Sequence, residues 1–317
     1  MSDEQANSSI VEMKSLLKDK GYNVLTESVD GKNQTRYVHM ILEKAGKRYF
    51  AKINKRREQF FDITNEALSK QLPTGDDFEF IKSLEVIQLD EDRIILIYPF
   101  IAASPISSES NNFNSISVAP TDLNDFFKYT YTALSTLSEQ QTYTYKDVGV
   151  TSPIHADHLV GWLASVNPTD TDVVEALQAL AKKRHLQLPL VVSVSDAQPQ
   201  NMFWDANLKK VYFFDMETIQ HLPRGYDLAK LASSFYIVCS QVKVSTEWVD
   251  YVVHQLRTST ESTELIGQLH LMLLLAGVEY YSYFKKINDK NRVAGSINFI
   301  RWALRDFVKL VNDSGAK

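Results

Sequence analysis

An aspartate and an asparagine five residues apart, with a second aspartate fourteen residues further on, are the residues of this sequence best suited to chemistry. They are Asp196, Asn201 and Asp215. Transfer of a phosphoryl group needs one carboxylate near the attacking hydroxyl, and an amide and a carboxylate that hold a metal ion on the phosphates. Mg²⁺ suits such a set because it favours oxygen ligands and keeps several waters. The alternative is a polar turn with chance Asp and Asn residues, since both are common turn formers.

Apolar segments before and between these residues predict the strands that must position them. Leu190–Val194 precedes Asp196, Met202–Trp204 follows the asparagine, and Val211–Phe214 precedes Asp215. Short runs of β-branched and aromatic residues bounded by turn residues are typical of strands. Because a sheet fixes the backbone at the end of each strand, we expect both carboxylates to be held in place.

These spacings and strands resemble the catalytic core of the aminoglycoside phosphotransferase and choline kinase group, which has the protein-kinase-like fold. In that family the aspartate matched by Asp196 lies close to the acceptor hydroxyl, orients it and can take its proton. Asn201 matches the metal-binding asparagine, and Asp215 matches the aspartate that reaches the nucleotide phosphates through Mg²⁺. The resemblance implies catalysis by Asp196, with Mg²⁺ and ATP or GTP as cofactors.

Lys52 is the candidate cation for the nucleotide phosphates. Its segment looks like the strand whose lysine pairs with the α and β phosphates, where a cation offsets the charge that a nucleotide brings into a partly dry cleft. The helix predicted over Arg57–Leu72 carries Glu66, which the resemblance implies as the ion-pair partner of this lysine. Glu58 is the rival, but Glu66 is nearer the middle of the helix.

Two backbone segments complete the expected nucleotide site. The phosphate loop would be Val29–Thr35, in which Gly31 and small polar residues allow backbone N–H groups to surround phosphates. A plain hairpin turn is the alternative, because no Gly-x-Gly-x-x-Gly occurs in the sequence. Tyr98 and Phe100 flank Pro99 in the expected hinge. Since proline lacks an N–H group, a neighbour must donate to the adenine edge.

The sequence departs from the family motif at one point. Val194 and Ser195 stand where the family usually has the His-Gly of His-Gly-Asp. That histidine braces the catalytic loop, so its loss weakens the inference of full activity without removing a metal ligand. Glu217 gives the Asp-x-Glu form that is typical of small-molecule kinases. The resemblance implies that its carboxylate contacts the metal or the acceptor, and the alternative is a solvated carboxylate on a loop. Asp227 resembles the aspartate that accepts backbone N–H bonds from the catalytic loop, or is an ordinary acid in the first turn of a helix.

The bulk composition is that of a globular protein. The 317 residues include 44% hydrophobic and 23% charged residues, and the formal net charge is −5. This charge gives no reason to expect nucleic acid or an anionic membrane as a partner. The most apolar segment, Leu265–Val278, is too short for a membrane span, and the single cysteine, Cys239, cannot form an internal disulfide. We therefore expect a cytoplasmic protein, and no oligomeric state is predicted.

The order of predicted elements indicates an α+β protein with a two-lobe, protein-kinase-like fold. A nucleotide-binding lobe with a small mixed sheet is predicted over residues 1–101, and a helical lobe with the catalytic loop and acceptor site over residues 102–317. The remaining strands of the first lobe are predicted at Tyr22–Glu27, Tyr37–Glu43, Arg48–Ile53, Phe78–Gln88 and Arg93–Phe100. Helices of the second lobe are predicted at Asp122–Gln141, His155–Val166, Asp172–His185, Gly225–Gln241, Thr246–Thr258, Glu264–Ile287 and Val293–Asn312.

The expected function is a small-molecule kinase that acts on an acceptor with a hydroxyl group, such as an aminoglycoside, choline or a sugar. The sequence lacks the Asp-Phe-Gly and Ala-Pro-Glu segment of protein kinases. The alternative is a kinase-like pseudoenzyme that binds nucleotide or scaffolds a partner. The aromatic segment Glu279–Phe284 either lines a pocket for a cationic acceptor through cation–π contact or packs in the core.

Overall fold

The structure, a computed structural model, describes most of the chain. The described residues are 3–29, 38–55, 71–91, 93–107, 115–140, 142–143, 170–182, 188–216 and 219–313. The chain divides into two compact units. The first unit comprises residues 1–71, 80–103 and 214–218, and the second comprises residues 72–79, 104–213 and 219–317.

The strands and helices follow one another in a sheet-rich half and a helical half. The described strands are β1 (Asn23–Val29), β2 (Val38–Lys44), β3 (Lys47–Lys55), β4 (Phe78–Phe80), β5 (Glu85–Gln88), β6 (Arg93–Pro99), β7 (Ser104–Pro105), β8 (Thr142–Tyr143), β9 (Leu190–Ser193), β10 (Met202–Asp205), β11 (Lys210–Phe213) and β12 (Gln220–Pro223). The described helices are α1 (Asp3–Asp19), α2 (Leu123–Glu139), α3 (Thr171–Lys182), α4 (Tyr226–Ser233), α5 (Val242–Leu256), α6 (Ser262–Lys286) and α7 (Lys290–Asp313).

An antiparallel sheet forms the body of the first unit. Its strand order is β1, β2, β3, β6 and β5. Side chains of β2 alternate between buried and partly exposed positions, as expected for a sheet with one covered face. Met13 and Leu17 of α1 are fully buried and cluster with Met40 and Leu42 of β2 and Ile95 of β6. The lysine strand β3 is thus paired on both sides and backed by a helix.

Long helices make up most of the second unit. In α6, Gly277 allows close approach of α7, because a Cβ atom at this position would lie 2.8 Å from Cγ1 of Ile300. Trp248 of α5 is fully buried, and its indole nitrogen donates a 3.0 Å hydrogen bond to the carbonyl oxygen of Leu228 in α4. The Trp248 hydrogen bond ties α5 to α4, which carries several residues of the candidate site.

Two small sheets of the second unit hold the loops that carry the predicted chemistry. All four residues of β9 are buried, and β9 lies between β12 and β8 in one antiparallel sheet. The hairpin of β10 and β11 runs in register from the Met202–Phe213 pair to the Asp205–Lys210 pair. Asp196 follows the end of β9 in the first of these sheets, and Asp215 follows the end of β11 in the hairpin.

The predicted α+β class is confirmed, with a sheet in the N-terminal region and helices in the C-terminal region. The N-terminal sheet was predicted to be mixed, but all of its strand pairs are antiparallel. The single strand predicted over Phe78–Gln88 is wrong, because β4 and β5 within it belong to different sheets. The helix predicted over Gly225–Gln241 is α4 followed by a π-helical turn at Ser234–Val238. Within the described ranges, no helix has both the length and the apolar character needed to cross a bilayer.

Candidate active site

The loop that follows β9 turns sharply before Asp196. Ser195 has a φ of +56°, in the left-handed region that residues other than glycine seldom adopt. The amide nitrogen of Asp196 donates to the carbonyl oxygen of Val194 at 2.6 Å. This turn, made directly at the end of a buried strand, fixes the direction in which the Asp196 side chain leaves the sheet.

Asp196 and Asn201, the pair predicted from their spacing, are in direct contact. The amide nitrogen Nδ2 of Asn201 lies 2.7 Å from Oδ2 of Asp196 and 3.2 Å from its carbonyl oxygen. Gln198 donates from Nε2 to the other carboxylate oxygen of Asp196. A 3₁₀ turn at Pro199–Asn201 brings these amides back to the carboxylate. The Asp196 carboxylate is therefore oriented through both of its oxygens.

Asp227, in the first turn of α4, holds this loop through its backbone. Its carboxylate accepts hydrogen bonds from the amide nitrogens of Val194 and Ser195, both at 3.1 Å, and from the hydroxyl of Ser193 at 2.8 Å. Burial raises the pKa of Asp227 to about 6, although the bonds from Ser193, Val194 and Ser195 act in the opposite direction. The prediction that Asp227 accepts N–H bonds from the catalytic loop is confirmed.

Ser193 is part of the site that the sequence analysis missed. Its hydroxyl donates to Asp227 and accepts a 2.9 Å hydrogen bond from the amide nitrogen of Ser195. Val194, which stands in place of the family's histidine, is only 1% exposed and packs as an apolar residue. Ser193 together with Asp227 therefore braces the loop in this protein. The signal was the serine at the end of a buried strand, where a hydroxyl needs a partner.

The left-handed backbone of Ser195 leads to a prediction about stability. Replacement of Ser195 by alanine or by glycine removes the hydroxyl in both cases, and only alanine keeps a Cβ atom. A Cβ atom is disfavoured at this φ, so we expect the glycine variant to be more stable by about 1 kcal/mol. Urea unfolding of the two variants measures the difference. An alanine variant that equals or exceeds the glycine variant would contradict the strained turn.

Lys52 and Asp215 form an ion pair within the first unit. Lys52 Nζ lies 2.7 Å from Oδ1 of Asp215, and Lys52 is only 5% exposed. Asp215 has a φ of +64°, which aspartate tolerates better than most residues. The centre of the Phe214 ring lies 5.2 Å from the ring centre of Phe50 and 4.8 Å from that of Tyr98. These aromatic contacts anchor the segment that brings the carboxylate to the lysine of β3.

The other residues predicted for nucleotide binding are placed only in part. Tyr98 lies opposite Phe50 in the β3–β6 ladder and is 2% exposed, so its ring packs in the core. Phe100 follows β6, and the guanidinium of Arg48 lies 5.8 Å from its ring centre. Gly31, Glu66 and its rival Glu58 lie outside the described residues, and so does Glu217, the candidate contact of the metal or acceptor. The predicted roles of all these residues stay predictions.

A cavity of about 400 Å³ in the second unit adjoins the Asp196 loop. The residues around it come from the loop, α4, the π-helical turn, α6 and α7. They are Gln198, Gln200, Lys230, Val238, Glu279, Tyr280, Tyr283, Phe284 and Arg292. In the aromatic segment of α6, Tyr280 and Phe284 are at least 95% buried and also line this cavity, while the predicted binding of a cationic acceptor stays a prediction.

Lys230 is the second residue that the sequence analysis missed. Its Nζ lies 3.7 Å from Oε2 of Glu279 and 4.1 Å from the ring centre of Tyr280. Burial alone would lower the pKa of Lys230, but Tyr280, Glu279 and Asp196 outweigh it and raise the pKa to about 12. The signal was its position three residues after Asp227, because residues at this spacing share one face of a helix.

The donor groups of the predicted metal site suit Mg²⁺. No cluster of three or more His, Cys, Asp and Glu side chains occurs among the residues that the structure describes. Mg²⁺ does not need one, because waters and phosphate oxygens complete its shell around one or two protein oxygens. The amide nitrogen of Asn201 faces Asp196, so its amide oxygen points away from that carboxylate. An amide oxygen on Asn201 and a carboxylate on Asp215 are each of the donor type that Mg²⁺ favours, and their role as metal ligands stays a prediction.

Comparison with known proteins gives a match in structure and none in sequence. No protein-family model matches the chain, and a search of curated proteins finds no significant match. The crystal structure of the aminoglycoside phosphotransferase APH(4)-Ia matches with a TM-score of 0.67 and 12% identity, over 93% of this chain and 98% of that chain. A macrolide 2'-phosphotransferase type I matches with a TM-score of 0.61 and 14% identity, over 92% and 96% of the two chains.

A third match extends the likeness to an enzyme named for a small alcohol. The Plasmodium vivax ethanolamine kinase matches with a TM-score of 0.54 and 11% identity, over 93% of this chain and 84% of that chain. Such low identities show the fold, and the fold spans nearly the whole chain in each case. The chain therefore has the fold of these two phosphotransferases and of the ethanolamine kinase, which is the kinase-like fold predicted from the sequence.

Proposed function

We propose that this protein is a Mg²⁺-dependent phosphotransferase that moves the γ-phosphoryl group of ATP or GTP to a hydroxyl group of a small acceptor. The observation that carries the proposal is the Asp196 carboxylate, which Gln198 and Asn201 orient through both oxygens on a loop that lines a cavity of about 400 Å³. A general base must be fixed within reach of the proton that it takes. Nucleotide binding is assigned to the lobe predicted over residues 1–101, and acceptor binding to residues 102–317.

Nucleotide complexes of proteins with the same fold support this choice of donor. A thermostable mutant of APH(4)-Ia was solved as a ternary complex with ADP and hygromycin B. An aminoglycoside 2'-phosphotransferase-IIIa was solved as a GDP complex. The ion pair of the buried Lys52 with the partly exposed Asp215 supplies the two charges that a nucleotide and its metal require. Both ATP and GTP therefore stay candidates.

In the proposed reaction, Asp196 hydrogen-bonds the acceptor hydroxyl and takes its proton as the oxygen attacks the γ-phosphorus. The bond between the γ-phosphorus and the bridging oxygen breaks, and the nucleoside diphosphate leaves with that oxygen. The ammonium of Lys52 stabilises negative charge on the phosphates. Asn201 and Asp215 would hold Mg²⁺, which neutralises phosphate charge when it is bound. Asp227 and Ser193 keep the loop in position.

The test combines a binding measurement with an acceptor panel. ATP or GTP with Mg²⁺ is expected to raise the melting temperature, because a ligand at about 100 times its dissociation constant stabilises the folded state by about 2.7 kcal/mol. Chelation of Mg²⁺ should reduce this shift. Release of nucleoside diphosphate is then measured with sugars, aminoglycosides, choline and nucleosides as acceptors. If neither ATP nor GTP raises the melting temperature, the proposal is wrong.

A pseudoenzyme that binds nucleotide is the second candidate, because Val194 stands in place of the histidine that braces the family's catalytic loop. Against it, Ser193 and Asp227 brace the loop of this protein by other means. A nucleotide-induced shift with no release of diphosphate across the whole panel would favour the pseudoenzyme. Release that depends on an acceptor would favour the phosphotransferase.

A further inference from the structure

The cavity beside Asp196 contains the groups that attract a cationic ligand. Ammonium groups bind to carboxylates and to the faces of aromatic rings. Glu279 and Tyr280 line the cavity, and Gln198, another lining residue, donates to the Asp196 carboxylate. An acceptor with an amino or trimethylammonium group would therefore be expected to bind between Glu279 and the ring of Tyr280.

Lys230 already places an ammonium group in this position. Its Nζ lies 3.7 Å from the Glu279 carboxylate and 4.1 Å from the centre of the Tyr280 ring. The Lys230 side chain is 12% exposed, so it is held in the wall of the cavity and does not extend into solvent. Glu279 also accepts a 2.8 Å hydrogen bond from the hydroxyl of Tyr226, which keeps the carboxylate directed at the lysine.

The second cation of the cavity is paired in a similar way. The guanidinium of Arg292 lies 5.3 Å from the ring centre of Phe284, and its Nη1 donates to Oδ2 of Asp289 at 3.4 Å. Each of the two lining cations thus has a carboxylate partner and an aromatic face. Both cations that line the cavity are therefore already paired with carboxylates, and neither charge is left to attract a charged acceptor.

The uncharged polar groups of the cavity suit hydroxyl groups. Nε2 of Gln200 donates to Oε1 of Gln198 at 2.5 Å. Oε1 of Gln200 is buried and has no hydrogen-bond partner among the described residues. A ligand does not reach this oxygen, but the side-chain amides of Gln198 and Gln200 line the cavity, and amide groups can donate and accept hydrogen bonds as a hydroxyl group does. Tyr283, which is 51% exposed, adds a phenol group at the same cavity.

We propose that the acceptor is an uncharged hydroxyl compound of the sugar or polyol class, and that Lys230 excludes acceptors that carry an ammonium group. This proposal rests on the phosphotransferase function and names the acceptor class for it. Lys230 is therefore a specificity-determining residue, because its ammonium group occupies the position between Glu279 and Tyr280 that the ammonium group of a cationic acceptor would need.

The first experiment measures binding of choline, without nucleotide, to the full chain and to the Lys230→Met variant by calorimetry. The variant keeps an unbranched side chain but vacates the contacts with Glu279 and Tyr280, so choline affinity is expected to rise by about ten-fold or more. Adding Glu279→Gln should cancel the gain. Lys243→Met, at an exposed lysine of α5, is the matched control and should leave choline binding unchanged.

Lys230→Gln repeats the measurement if the methionine variant does not fold. Choline binding by the unaltered protein, or no gain in a folded Lys230 variant, would overturn the exclusion of cations. In the second experiment, diphosphate release is compared for glucose, glucosamine and glucuronate, which share one ring. Faster release with glucose supports an uncharged acceptor, and any other result, equal rates included, overturns it. Because the choline experiment uses no nucleotide, a failure of ATP or GTP to bind would count against the phosphotransferase proposal alone.

Discussion

Replacement of Asp196 by alanine is expected to lower phosphoryl transfer by about 100- to 10,000-fold, the range for loss of a positioned general base. Nucleotide binding should survive, because the proposed phosphate contacts come from Lys52 and the metal ligands Asn201 and Asp215. The measurement is diphosphate release with an active acceptor, together with the melting-temperature shift on addition of nucleotide and Mg²⁺. A large loss of turnover together with an unchanged melting-temperature shift would show that Asp196 acts in the chemical step and not in nucleotide binding.

Alanine is the informative substitution at this position. An asparagine would direct an NH₂ group against Nε2 of Gln198 or Nδ2 of Asn201, both of which donate to the carboxylate of Asp196. That clash would distort the loop as well as remove the base. Asp306→Ala, at an exposed residue of α7, is the matched control and should keep full turnover. An Asp196→Ala protein that works near the original rate would refute the assigned role.

Replacement of Lys52 by methionine is expected to lower transfer by about 100- to 1,000-fold, the effect of removing one donor that stabilises charge in the transition state. The thermal shift with nucleotide should also shrink. Lys52 is 5% exposed and lies 2.7 Å from Asp215, so its charge acts where water screens it poorly. Methionine keeps the length of the side chain and fills the same space in β3.

The matched control for this lysine lies on the same strand. Lys47 begins β3 and is exposed, so Lys47→Met should leave both turnover and nucleotide binding unchanged. The melting temperature of the nucleotide-free Lys52→Met protein tests whether the fold itself is intact. Equal nucleotide shifts in Lys52→Met and the unaltered protein would remove Lys52 from the proposed phosphate site.

The candidate catalytic residues could be picked out from the sequence because they are close in sequence or follow directly after strands. The four residues between Asp196 and Asn201 form a turn that brings side-chain amides back to the carboxylate, and turn chemistry of this kind is local. The pairing of Asp227 with the same loop was predictable only through the family resemblance. Its partners lie more than 30 residues away along the chain, and no periodicity of the sequence encodes that contact.

The residues that the sequence analysis missed depend on contacts between distant elements. Lys230 meets Glu279 and Tyr280 only because α4 packs against α6. As a single lysine in a helical pattern, it does not differ from a surface residue. The strand predicted over Phe78–Gln88 failed for the same reason, since a short apolar run does not specify which partner strand it will meet.

By itself, the sequence determined the α+β class, the resemblance to a phosphotransferase core and the position of Asp196 and Asn201 on one loop after a buried strand, because these depend on local pattern and spacing. Only the tertiary structure decided that Asp215 binds the ammonium of Lys52, 163 residues away. It also decided that Ser193 and Asp227 hold the Asp196 loop, and that Lys230 pairs with Glu279 in the wall of the cavity. Such contacts follow from burial and close packing of distant segments, which fix which charges and hydroxyl groups meet.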